Sequence, residues 1–79
     1  MMELHNPGMS DADICRKHGW KQGTRLTGTE YFGNGKSSTA TIRITAIGES
    51  EILAVFESDE GEGEEAIWTL KYRDWALAS

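Results

Sequence analysis

Thr39-Ala40-Thr41-Ile42-Arg43-Ile44-Thr45-Ala46, Glu51-Ile52-Leu53-Ala54-Val55-Phe56 and Ala66-Ile67-Trp68-Thr69-Leu70-Lys71-Tyr72 hold the period-2 apolar positions from which a sheet with a core can be built. In the first run Ala40, Ile42, Ile44 and Ala46 alternate with polar residues, as in a strand with one buried and one wet face. The second run is apolar on both faces and suits a central strand, joined to the first through Gly48-Glu49-Ser50 as an antiparallel hairpin. The third puts Ala66, Trp68, Leu70 and Tyr72 on one face. Three strands in this order make a meander, with Ile42, Ile44, Leu53, Val55, Ile67 and Leu70 as expected core; Phe56 and Trp68 are also placed there.

Working outward, Thr24 to Glu30 reads as a modest strand with Leu26 inward, and Trp75-Ala76-Leu77-Ala78 as a closing strand after a tight turn at Tyr72 to Trp75. Tyr31 to Ser38, centred on Gly33-Asn34-Gly35, is a loop with an exposed tip. Ser58 to Gly63 reads as a solvated acidic loop. Upstream, Ser10 caps a short helix over residues 10–18: Asp11 and Asp13 suit its positive end, Arg16, Lys17 and His18 its last turn, and Gly19 the left-handed position after it. Trp20 then packs back against Cys15. So short a helix needs the sheet for support, through Ile14 and Cys15. Residues 1–9, with the single proline Pro7, are expected to be a flexible arm in front of one domain over residues 10–79.

The expected fold class is therefore mainly β. The plan of five short strands, a long first connection, a tight central hairpin and one turn before the last strand resembles an SH3-like barrel, antiparallel throughout, with the helix added at one end. Closure would remove the edges that an isolated meander leaves open.

The 79 residues suffice for one small domain, which buries about 60 to 65% of its unfolded surface. Hydrophobic residues at 38% and charged residues at 27% describe an ordinary globular chain. No apolar run approaches the ~20 residues of a membrane-spanning helix, residues 1–8 lack the pattern of a secretory signal, and Cys15 is a lone cysteine. A cytoplasmic location is the expectation. The net charge of −5 opposes non-specific nucleic-acid binding, but it is unevenly spread. Arg16, Lys17, Lys21 and Arg25 cluster early, whereas Glu57, Asp59, Glu60, Glu62, Glu64 and Glu65 cluster late.

Chemistry-bearing motifs are scarce. Gly35-Lys36-Ser37 matches the end of a phosphate loop, yet Glu30 stands where that pattern needs glycine, and a strand follows where it needs a helix. Cys15 and His18 share a helix face but lack further histidine or cysteine partners nearby for a structural zinc site. The acidic run lacks the twelve-residue spacing of a calcium loop. No enzyme, metal or cofactor is expected. Tyr31 and Phe32, at the mouth of a glycine loop, gain little there unless they meet a partner. In an SH3-like plan this loop and the Tyr72–Trp75 turn flank one groove. The acidic-tyrosine loop, tryptophan pair and proline-tyrosine turn of peptide-binding SH3 domains are missing, which argues against proline-rich ligands.

Brevity, acidic balance, an added helix and the lack of catalytic groups resemble small accessory proteins encoded by phages and prophages. That resemblance implies a modulator or inhibitor of a host protein or defence complex. The expected contact surface is Tyr31, Phe32, Glu57, Asp59, Glu60, Glu62 and Trp75, docking a protein partner. The alternatives are a weak nucleic-acid binder, using Arg16, Lys17, Lys21, Arg25 and Lys36 with Trp20 or Tyr31 as a stacking platform, and a self-associating structural protein.

Overall fold

The computed structural model describes residues 9–78. The arm expected over residues 1–9 lies, Met9 apart, outside the described residues. The elements in chain order are α1 (Asp11–His18), β1 (Arg25–Tyr31), β2 (Ser37–Ile47), β3 (Ile52–Ser58), β4 (Gly61–Glu62), β5 (Ala66–Trp68) and β6 (Asp74–Leu77). They form one helix and a single antiparallel sheet of order β4-β3-β2-β1-β6, with β5 also on the outer side of β3.

The helix is set by its ends. The Ser10 hydroxyl accepts from the Asp13 N–H at 3.1 Å, and Gly19 at φ 77° closes the other end. There the Gly19 and Trp20 N–H groups donate to the Arg16 and Cys15 carbonyls at 3.2 and 2.8 Å, a Schellman closure. Ala12 and Cys15 are fully buried on the sheet, while Ile14 packs at the margin. Side-chain tethers also fix the helix. Arg16 donates to the Gly48 carbonyl at 2.8 Å, beyond the end of β2, and Asp11 accepts from the Leu70 N–H at 2.9 Å, beyond β5.

The sheet buries one face. Leu26, Ile42, Ile44, Ile52 and Ala54 are fully buried there, with Leu70 beside them. Each large one contributes roughly 1.5–3 kcal/mol of transfer free energy. The other face carries Arg25, Thr27, Thr41, Arg43 and Glu57. Thr27 and Thr41 pair across the strands, and their hydroxyls lie 3.2 Å apart.

Several expectations need correction. The sheet has six strands rather than five, because the Ser58–Gly63 loop contains β4. Nor is it closed: no hydrogen-bonded ladder joins β5 to β6 among the described residues. The run expected as a strand over residues 66–72 ends at Trp68, since Thr69 and Leu70 turn towards Asp11. Ile67 is 61% exposed and is not core. In β3 the parity was undecidable from an all-apolar run. Ile52 and Ala54 face the core, whereas Leu53 is half-buried on the opposite side; Val55, also on that side, is nonetheless buried. A bulge between Ile44 and Ala46 inserts Thr45 and breaks the alternation of β2, so that Ile47 packs against the core in the place expected for Ala46. Phe56, assigned to the core, is 39% exposed.

What brings the two sheet edges together is aromatic. Trp68 of β5 and Trp75 of β6 meet edge to face with ring centroids 6.2 Å apart, and Phe56 stacks on Trp68 at 6.4 Å. Trp75 lies over Gly28 of β1, where an added Cβ would come within 2.7 Å of three indole carbons. Gly28→Ala is expected to cost about 1–3 kcal/mol by overpacking, read as a fall in Tm of roughly 4–8 °C per kcal/mol. Gly33→Ala, whose added Cβ meets nothing within 4 Å, serves as the control and should leave Tm nearly unchanged. Equal melting temperatures for the two variants would contradict this packing.

Candidate groove at the end of strand β1

Strand β1 outruns β6. Its last partner on that side is Asp74, opposite Thr29, whereas its pairing with β2 continues to Tyr31 opposite Ser37. The chain before Asp74 bends away because it is held elsewhere: Leu70 is buried and tied to Asp11, and Arg73 is drawn under the β1–β2 pair. The Arg73 guanidinium donates to the Ser38 and Gly28 carbonyls at 3.0 and 3.3 Å and lies 3.5 Å from the Glu30 carboxylate. Between residues 29–31 and residues 71–74 this leaves an open groove of about 360 Å³.

Its chemistry is mixed. Tyr31 and Tyr72, on its two sides, are 69% and 77% exposed, while polar atoms make up most of the groove's own lining. Glu30 and Arg73 neutralise each other, while Lys71 and Asp74 have no ionic partner among the described residues. The groove thus offers two aromatic rings and one unpaired charge of each sign. Sequence reasoning put a groove between the Tyr31–Ser38 loop and the Tyr72–Trp75 turn. In the structure Tyr31 lines it and Phe32 does not; the Phe32 N–H instead closes the loop by donating to the Lys36 carbonyl at 2.8 Å. Lys71, Arg73 and Asp74 line it as well; their signal in the sequence is that Lys71-Tyr72-Arg73-Asp74 interrupts the expected alternation.

The other expected contact residues lie apart from the groove. Glu57 is in β3, not in a loop, and accepts from Arg25 at 2.8 Å with Arg43 at 3.4 Å. Glu62 of β4 also binds Arg43, and the two carboxylates hold that guanidinium more firmly protonated, Glu62 dominating. Both acids are therefore engaged within the sheet's outer face. Asp59 and Glu60 sit in the β3–β4 turn, exposed and without an ion pair among the described residues. Trp75 is packed over Gly28, and its indole Nε1 is buried without a hydrogen-bond partner among the described residues. Of the basic residues, Arg25 is occupied by Glu57 and Arg16 by Asp13 and the Gly48 carbonyl. Lys17, Lys21 and Lys36 are exposed, and Trp20 stacks on His18 at 4.5 Å.

Among the described residues no three His, Cys, Asp or Glu side chains group to hold a metal ion, and no helix is long and apolar enough to cross a membrane. Ser37, which follows Gly35-Lys36, opens a strand, so no helix N-terminus is there to receive phosphate.

A family model described as a domain of unknown function (DUF7241) matches residues 9–78, and the chain belongs to that family. No curated protein and no solved structure matches the chain.

The one thiol is chemically quiet. Burial, helped by the Asp11 charge and partly offset by Arg16, pushes Cys15 up to about 11 from 9.0. The folded state therefore holds this proton more tightly than the unfolded state. The associated stability is complete below pH 9 and is lost as pH rises towards 11. Native protein at pH 8 is expected to resist alkylation and to react on unfolding, and the stability difference between wild type and Cys15→Ala should shrink above pH 9. Rapid alkylation of the native chain would contradict this placement.

Proposed function

We propose that this protein is a non-enzymatic binding module that docks a protein partner through the groove between Tyr31 and Tyr72. The observation that carries the reading is the pair of tyrosines, 69% and 77% exposed, on opposite walls of one open groove. Tyrosines presented in this way supply interface energy when covered and little stability when not. The finer fold reading also belongs here. The strand order β5-β3-β2-β1-β6, with the indoles of β5 and β6 in contact, supports an SH3-like barrel closed by side chains rather than by a hydrogen-bonded ladder. A small acidic module of this kind suits a modulator of a host protein. The net charge of −5 and the exposed Asp59 and Glu60 favour a basic partner and faster encounter with it. The nucleic-acid reading is weakened, since Arg16 and Arg25 are already engaged.

Tyr31→Ala with Tyr72→Ala is the direct variant. Exposed truncations of this kind change stability by about 0.5 kcal/mol or less, so Tm should move by no more than a few degrees. Affinity for the partner recovered from the native host should fall by more than about 2 kcal/mol, roughly thirtyfold. Unchanged affinity would remove the groove from the interface. Binding of single- or double-stranded DNA tighter than about 10 micromolar, with a steep salt dependence, would move the reading to nucleic acid.

A further inference from the structure

The registers fix where the backbone of β1 points. In an antiparallel strand successive residues send their N–H and C=O groups to opposite sides. The Ile44 N–H donates to the Thr24 carbonyl and the Phe32 N–H to the Lys36 carbonyl, so even-numbered residues of this stretch bond on the β2 side. The Ala78 N–H donates to the Arg25 carbonyl, so odd-numbered residues bond on the β6 side. Thr27 and Thr29 accordingly face Ala76 and Asp74. Tyr31 is next in that series. Its opposite number would be Tyr72, but the chain has already left the sheet at Arg73. The N–H and C=O of Tyr31 therefore point into the groove, and no described residue bonds to them.

We propose that the groove receives an extended segment of a partner protein by strand addition, the segment taking the place beside β1 that β6 does not occupy and exchanging backbone hydrogen bonds with Tyr31. This rests on the reading of the groove as the docking site and names its mode of recognition. Backbone pairing supplies affinity, and alternate side chains of the segment supply specificity. Charge complementarity defines the segment further. Lys71 and Asp74, unpaired on the far wall, select one acidic and one basic side chain flanking the paired residue, while Tyr31 and Tyr72 cover its apolar surface. The occupant proposed is a different protein; a wild-type chain that self-associates, and loses that association on Tyr31→Ala with Tyr72→Ala, would overturn this choice.

The probe is a peptide selected on the immobilised wild-type chain from a random-peptide display library and then synthesised with each backbone nitrogen methylated in turn. Strand addition predicts a loss of about tenfold or more at the position paired with Tyr31, with its immediate neighbours tolerant, because a lost buried hydrogen bond is worth about 1.4 kcal/mol. It also predicts that Tyr31→Pro, which removes the N–H, weakens binding beyond Tyr31→Ala. The methylation scan on wild type stands even if the proline variant does not fold. A peptide that is lost on Tyr31→Ala with Tyr72→Ala, yet tolerates methylation throughout, would overturn strand addition and leave the docking groove standing. Selected peptides indifferent to both tyrosines, or no selected peptide at all, would overturn both.

Discussion

The structure depends on an edge-to-face contact between two indoles that are close in sequence and on opposite edges of the sheet. Trp68 ends β5, which hangs on β3, and Trp75 lies in β6, which hangs on β1; the strands between them must curl before the rings can meet 6.2 Å apart. A chain of this size cannot build a deep core, so curling lets a few aliphatic residues be covered from all sides. Gly28 is part of the same device. Without a side chain on β1, the Trp75 ring settles directly on the backbone, and the edge strand β6 is held by packing as well as by its ladder.

The polar interactions divide the remaining labour. On the inner side, Asp11 and Arg16 bond backbone groups of distant turns, the Leu70 N–H and the Gly48 carbonyl, while Arg73 adds a further donor to the Ser38 and Gly28 carbonyls within the β1–β2 pair. The Leu70 N–H and the Gly48 carbonyl are groups that no ladder reaches. On the outer side Arg25, Glu57, Arg43 and Glu62 form a chain of ion pairs across β1, β2, β3 and β4. Exposed pairs contribute about 0–1 kcal/mol each, so this network sets strand register more than stability. Its functional effect is subtractive: charges engaged with one another are less available to a partner.

Features that depend on near neighbours were legible in the sequence. Ser10, Gly19 and Trp20 define the helix ends through contacts within five residues, and both ends form as expected. The β2–β3 hairpin was equally plain. Where long-range contacts decide, the reading failed. The all-apolar run of β3 could face either way, and the bulge at Thr45 changed the parity beside it. β5 stops early because Asp11, 59 residues away, captures the Leu70 N–H, and nothing local announces that. The site was half legible. Tyr31 could be singled out as an aromatic at a glycine loop, but Tyr72 looked like one more inward position of a strand that in fact ends at Trp68.

The groove follows from the same closure. Because Trp75 anchors β6 at Gly28, and Leu70 and Arg73 hold the preceding turn inward, β6 begins too late to cover the end of β1. The most direct measurement is a double-mutant cycle on Trp68→Leu and Trp75→Leu by denaturant unfolding. The account predicts a coupling of about 0.5–1.5 kcal/mol between the two positions. Additive losses, within about 0.3 kcal/mol, would mean that the indoles do not hold the sheet edges together.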